Sequence, residues 1–171
     1  GDDVNIAVED DQPVIGSVAT NDSDVDAGAQ LGYALNAPVA GLTLNPNGSY
    51  SFDPSNAAYQ SLAVGTTATV VGTYTVSDGN GGSDTSTLTI TVSGTNDAPV
   101  INSGTTGTVA ENAAVSGVVY DADATDVDAS DDLIYSLANV DDGASFNIDP
   151  VTGQVRLNAS ANFENQTSYS I

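Results

Sequence analysis

Short stretches of this chain alternate between apolar and polar residues with a period of two. Residues 87–92, Thr-Leu-Thr-Ile-Thr-Val, are the clearest case, and such alternation predicts a strand with one buried face. Residues 48–52 (Gly-Ser-Tyr-Ser-Phe), 73–76 (Thr-Tyr-Thr-Val), 153–157 (Gly-Gln-Val-Arg-Leu) and 168–171 (Ser-Tyr-Ser-Ile) carry the same pattern. Residues 31–35 and 133–137 are short apolar stretches read as further strands. Turn signals punctuate the runs: Asn45-Pro46-Asn47-Gly48, Asp53-Pro54, Asp78-Gly79-Asn80-Gly81-Gly82, Asp149-Pro150 and Thr152-Gly153. Pro and Gly at such places fix the backbone angles that turns need. No window shows helical spacing. Several turn-separated strands within about 100 residues predict an all-β fold built from β-sandwiches.

The chain also repeats itself, at an offset of about 100 residues. Asp24-Val25-Asp26-Ala27 returns as Asp126-Val127-Asp128-Ala129, and a glutamate, Glu9 or Glu111, stands fifteen residues before each. The apolar stretch and the Gly-led strand then follow in the same order in both copies. Between the copies lies Gly94-Thr95-Asn96-Asp97-Ala98-Pro99-Val100. Proline lacks an amide donor and fixes its own φ, so it suits a linker better than a central strand. Two modules are therefore expected, residues 1–97 and 98–171. By the repeat Ile171 matches Val76, so the second module is expected to be incomplete, lacking counterparts of residues 77–92. The abrupt start at Gly1 reads as an excised fragment.

Composition sharpens the picture. There are 23 acidic side chains against one basic residue, a formal net charge of −22, with no His, Cys or Met. Like-charge repulsion on this scale weakens the compact state. An external cation or basic partner is therefore expected, and any metal must be held by oxygen alone. Oxygen-only sites favour hard cations, Ca²⁺ first and Mg²⁺ second. A disordered acidic tail would not need the regular alternation described above. The absence of clustered Lys and Arg excludes nucleic acid as a partner, and no apolar run approaches the length that membrane insertion requires. Without His a Ser-His-Asp site is impossible. Paired carboxylates could cleave glycosides, but here they sit in Gly-rich polar loops of a chain without Trp. The chain reads as no enzyme.

Side chains two apart on an extended segment point the same way. Asp126 and Asp128 are thus expected to converge on one cation while Val127 faces the core, and Asp24, Val25 and Asp26 likewise. Calcium takes six to eight oxygens, so two aspartates do not suffice. Glu9, Asn96, Asp97, backbone carbonyls and water are the further donors expected. Asp22, Asp121, Asp123, Asp131 and Asp132 read as solvated acids outside the site. The segment 79–84 reads as a hairpin turn rather than a β-roll repeat, since it occurs once. The seven tyrosines read as strand packing rather than as a sugar-stacking platform.

Asn96-Asp97-Ala98-Pro99 resembles the Asn-Asp-x-Pro linker of cadherin repeats. Glu111 and Asp126-Val127-Asp128 match the glutamate and Asp-x-Asp loop of a cadherin module, and Asn162-Phe163-Glu164 resembles its Leu-Asp-Arg-Glu motif with Asn in the Asp position. Residues 98–171 are therefore similar to a bacterial cadherin-like domain. Residues 72–82, leading to the Gly-Thr-Asn-Asp-Ala-Pro linker, make the first module similar to the VCBS repeat of large marine-bacterial surface proteins. The resemblance implies immunoglobulin-like sandwiches whose junctions bind Ca²⁺ and stiffen a giant exported adhesin. It implies a junction set of Glu9, Asn96, Asp97, Asp126 and Asp128. It implies an upper half-site of Asp24, Asp26 and Asp78, and a lower one of Glu111, Asn162 and Glu164. The partners are then neighbouring modules of the same chain, at a secreted or bacterial cell-surface location. The alternative is a recognition module that grips a glycan, a peptide or another adhesin chain through its loops or an open sheet edge.

Overall fold

The computed structural model describes every residue except Ala27, Ala129, Asn139, Phe163 and Ile171. The last residue of each Asp-Val-Asp-Ala copy, the centre of Asn162-Phe163-Glu164 and the end of the last expected strand thus lie outside the described residues. The chain separates into two compact units, Gly1–Asp97 and Ala98–Ile171. No α-helix occurs among the described residues.

Among its described residues, unit 1 contains seven strands: β1 (Asp3–Val8), β2 (Val14–Ser17), β3 (Gly32–Leu35), β4 (Leu42–Leu44), β5 (Ser49–Phe52), β6 (Thr67–Ser77) and β7 (Ser83–Ser93). One sheet runs β1-β7-β6-β3 and the other β2-β5-β4. β1 lies parallel to β7, while the remaining neighbours are antiparallel. β6 and β7 form a long hairpin in register from Thr67↔Ser93 to Ser77↔Ser83. Its tip is a turn, as the glycines predict. Asp78 Oδ1 accepts from the amides of Asn80 (2.7 Å) and Gly82 (2.9 Å). Gly79 and Gly81 have φ of 73° and 108°, values that a side chain would strain.

The alternation places Leu88, Ile90 and Val92 of β7 and Tyr74 of β6 in the core, against Phe52 of β5 and Val18, all essentially inaccessible. The rings of Phe52 and Tyr59 pack at 5.4 Å, and those of Tyr33 and Tyr74 at 6.2 Å. Buried hydroxyls need partners. Tyr59 Oη donates to Ala40 O (2.7 Å) and Tyr74 Oη to Asp3 Oδ2 (2.8 Å).

Burial pushes the Tyr33, Tyr59 and Tyr74 phenols up from their ordinary 10.0, with the Asp3 carboxylate adding to the effect at Tyr74. The fold therefore holds them neutral, whereas the unfolded chain ionises them at the ordinary value. Their contribution to stability is complete below pH 10.0 and falls as pH rises above it. In an alkaline titration, tyrosinate absorbance from these three rings should appear together with loss of the β circular dichroism signal. Their ionisation in an intact fold would show the burial to be energetically irrelevant.

Unit 2 carries β8 (Val100–Ile101), β9 (Val118–Asp121), β10 (Ala124–Thr125), β11 (Phe146–Ile148) and β12 (Gln154–Leu157), with a 3-10 turn at Gly143–Ser145. Its sheets run β10-β8 and β11-β12-β9. Val155, Leu157 and Ala161 are buried, and Phe146 meets Tyr169 edge-on at 5.5 Å.

Two expected strands of unit 2 do not form. Residues 133–137 and 168–170 are irregular. In unit 1 the corresponding β3 pairs with β6 across four positions. Residues 133–137 have no such ladder among the described residues. Tyr135 N donates to Pro150 O (2.9 Å), as Tyr33 N does to Pro46 O in unit 1, while Asp142 N donates to Ser170 O (2.9 Å) and Ser170 N to Asp142 Oδ2 (3.0 Å). A strand is defined by its neighbour, and alternation alone does not supply one.

Candidate metal centre

The repeat seen in the sequence is also a repeat of local hydrogen bonds. After Glu9, Asp11 N bonds Val8 O at 3.2 Å, and after Glu111, Ala113 N bonds Ala110 O at 3.2 Å. The residue following each glutamate adopts a left-handed backbone, Asp10 at φ 61° and Asn112 at φ 56°. Asx side chains tolerate that region better than most. In the aspartate loops, Asp26 N bonds Asp24 Oδ1 (2.7 Å) and Asp128 N bonds Asp126 Oδ1 (3.0 Å). Ala29 N to Asp26 O and Asp131 N to Asp128 O then continue both turns.

These bonds correct one expectation. The aspartate loops are Asx turns rather than extended segments, so the residue between the two acids does not face the core. Val25 is 98% and Val127 49% exposed. The first aspartate captures the amide two residues on, which bends the chain and removes the period of two.

Burial divides the candidate ligands. Glu9 and Asp128 are the buried charged residues among those described, at 1% and 4% exposure. Asp78, Asp97 and Asp126 are half-buried, whereas Asp24, Asp26, Asn96, Glu111, Asn162 and Glu164 are exposed. Glu9 sits where β1 ends, and its amide bonds Ser93 O at 2.9 Å. Its Oε2 accepts from the Thr95 amide at 3.1 Å, so the glutamate grips the backbone just ahead of Asn96 and Asp97. Asn96 Nδ2 donates to Asp97 O. Within unit 1, Glu9 and the linker residues are therefore held together. Within unit 2, Asn112 N donates to Ala161 O at 2.9 Å, which brings the Glu111 turn beside the Asn162 and Glu164 segment. There Asn162 Oδ1 accepts from Glu164 N at 3.1 Å.

In unit 1 an open cleft of about 270 Å³ is lined by Asp22, Asp24, Asp78 and Asp84 with Ser23, Ser77 and Ser83. Asp22, expected as a solvated acid, lines this cleft too. Its side chain is only 11% exposed, and its Oδ1 lies 3.3 Å from the terminal amine. Asp22 stands two residues before the Asp-x-Asp pair, and that spacing was the one available signal. Asp84 follows the β6–β7 turn, and nothing in its own sequence context set it apart. Among the described residues, no three carboxylates gather closely enough to hold an ion by themselves.

Several other acids serve the backbone. Hydrogen bonds from the Thr87 side chain first, and then from Ser86, hold the Asp2 carboxyl below its ordinary range. The amides of Thr152 and Val151 do the same for Asp149, and the Ser170 amide for Asp142. The single guanidinium, Arg156, donates to Ser116 O (3.2 Å) and Gln154 Oε1 (2.6 Å). The chain's one basic side chain is thus engaged away from the repeated acid loops. Burying carboxylates is costly without a compensating charge. Within unit 1, the buried Glu9 carboxylate beside the oxygen-bearing linker residues is chemically suited to a hard divalent cation.

The sequence profile of the bacterial cadherin-like domain matches residues 1–94. It falls on the unit in which the VCBS likeness was expected. The mouse cadherin EGF LAG seven-pass G-type receptor 1 is 31% identical over 177 aligned positions, covering 97% of this chain and 6% of the receptor. The human receptor of the same name is 29% identical, with the same coverage of both chains. Among solved structures, mouse cadherin-23 EC22-24 superposes with a TM-score of 0.59 at 19% identity, over 96% of this chain and 53% of that one. Drosophila N-cadherin EC1-4 gives 0.58 at 20% identity, over 93% and 39%. At these identities the structural likeness concerns the fold.

Proposed function

Because this chain belongs to the bacterial cadherin-like domain family, we propose that it is a calcium-stiffened extender segment of a large extracellular bacterial adhesin. Cadherin-like domains are extracellular adhesion or structural modules that work beside neighbouring domains. The observation that carries the reading is the buried Glu9 carboxylate bonded to the amide that precedes Asn96 and Asp97. A metal drawn to Glu9 would thereby also fix the linker backbone.

In this reading Glu9, Asn96, Asp97, Asp126 and Asp128 donate oxygens to calcium at the module junction. Asp24, Asp26 and Asp78 form a second set, which Asp22 joins. Glu111, Asn162 and Glu164 form a third. Calcium when bound supplies positive charge and a demand for six to eight oxygens. The protein residues supply the anchored carboxylates and the Asx turns that present them. Without metal the acids repel one another and the linker flexes. With metal the ligands close around it and the chain stiffens. Secretion to the cell surface and a role in cell adhesion follow from the same reading.

A calorimetric calcium titration, run beside small-angle scattering with and without chelator, tests this. Saturable binding at about 10⁻⁴ to 10⁻³ M, with a longer and stiffer profile in calcium, is the expected result. Binding without change of shape, or no saturable binding, overturns the extender reading. A second reading, recognition of a peptide strand or sister adhesin, is favoured by residues 133–137, an apolar stretch matching β3 in the repeat but with no ladder partner among the described residues. Pull-down from a glycan and protein panel in calcium separates it from the first.

A further inference from the structure

Four dipeptides in the chain place Asn or Asp before Gly: Asn47-Gly48, Asp78-Gly79, Asn80-Gly81 and Asp142-Gly143. All four share one intrinsic reactivity. The backbone nitrogen of the glycine can attack the preceding side-chain carbonyl carbon, and the missing Cβ leaves that path open. The attacking nitrogen must give up its proton and leave any hydrogen bond it makes. Structure therefore decides which of the four can react.

Three of these nitrogens are held. Gly48 N donates to Asn45 O (2.9 Å) and Gly143 N to Val140 O (2.9 Å), while Gly79 N donates to Ser77 Oγ (3.2 Å). Gly48 and Gly143 are also packed: an added Cβ would lie 2.8 Å from Ala19 Cβ and 2.5 Å from Ala138 O respectively. The Asn47 side chain is engaged as well, its Oδ1 accepting from the Ser49 amide and hydroxyl. Gly81 differs from Gly48 and Gly143 on both counts, and from Gly79 in its nitrogen. Its nitrogen makes no hydrogen bond among the described residues. An added Cβ there meets nothing within 4 Å, and its φ of 108° lies in the glycine region. Asn80 is exposed, and its Nδ2 makes only a long contact with Asp78 O (3.4 Å).

We propose that Asn80 is a site of spontaneous deamidation built into the tip of the β6–β7 hairpin, and that the fold protects Asn47 from the same reaction. Gly81 N loses its proton to a solvent base and bonds to Asn80 Cγ. The Cγ–Nδ2 bond breaks, and the amide nitrogen leaves as ammonia, having taken up a proton. Water then opens the resulting succinimide at either carbonyl, giving an α- or β-linked aspartyl residue at position 80. No oxidant or reductant takes part. The product adds one carboxylate two residues from Asp78, in the turn that borders the cleft of Asp22, Asp24, Asp78 and Asp84. The β-linked form also adds a methylene to the backbone of that turn. The negative charge of this end of unit 1 thus rises with age, without any enzyme.

The test is incubation of the full chain in mildly alkaline buffer made with heavy-oxygen water, followed by peptide mass analysis. In the folded protein, label should enter position 80 at least about tenfold faster than position 47, because reaction at Asn47 requires local opening. In urea the two rates should converge, since both are Asn-Gly. Asn80→Gln should abolish labelling at 80 and leave position 47 unchanged. Equal labelling of both sites in the folded chain overturns the proposal. So does an Asn80 that keeps its amide over a period in which the urea-unfolded chain loses its own.

Discussion

Phe52→Ala lowers the stability of unit 1 by about 3–5 kcal/mol, the range for emptying a fully packed aromatic site. Phe52 is 0% exposed and belongs to the three-stranded sheet, paired with Val14 on one side and Leu42 on the other. Its ring meets Tyr59 at 5.4 Å, and a Cβ on Gly41 would already be 3.4 Å from it. Neighbours this close refill the space poorly. The turn at Asp53 and Pro54 fixes the backbone beyond it, with Asp53 Oδ1 accepting from Ser55 N and Oγ. Native-state hydrogen exchange of the central β6 and β7 amides reads the effect in unit 1 alone. Their opening constant should rise by roughly a hundred- to several-thousandfold. A rise below tenfold would mean that the two sheets do not share one core.

On the proposed function, saturating calcium should stabilise the parent chain, and Asp126→Ala combined with Asp128→Ala should remove that gain from unit 2. At a hundredfold excess over Kd, linkage gives about 2.7 kcal/mol for one site that binds only the folded state. In chelator two effects oppose each other. Asp128 is 4% exposed in a chain of net charge −22, so removing two acids relieves repulsion. Against that stands the loss of the Asx bond from Asp128 N to Asp126 Oδ1, worth about 0.5–1.5 kcal/mol. The double variant should therefore unfold close to the parent in chelator and well below it in calcium. Thermal unfolding with and without calcium checks this. Equal calcium shifts in both proteins would move the metal away from this loop.

The β6–β7 hairpin of unit 1 was legible in the sequence, because its two strands are long and pair with each other. Leu88, Ile90 and Val92 alternate with threonine and occupy the core face. The Asp-Gly-Asn-Gly-Gly run closes a turn, as its glycines require. Unit 2 was less legible. Residues 133–137 form an apolar stretch that matches β3 in the repeat, yet a strand is completed only by a ladder. The aspartate loops were legible as a repeat and misread as extended backbone. A side chain that bonds its own backbone two residues on overrides alternation, and Val25 and Val127 turn to solvent for that reason.

Residue types and their order alone give an all-β chain of repeated acid loops, deficient in positive charge and restricted to oxygen donors. Those are properties of composition and period, which need no coordinates. Tertiary structure alone decided which acids are buried. Glu9 and Glu111 occupy matching turns, but Glu9 is enclosed where β1, β7 and the linker meet, and Glu111 remains exposed. It also decided which glycine amide is left without a hydrogen bond among four chemically similar dipeptides. Burial and amide protection depend on segments far apart in the chain, such as Glu9 and Thr95, and local pattern carries no record of them.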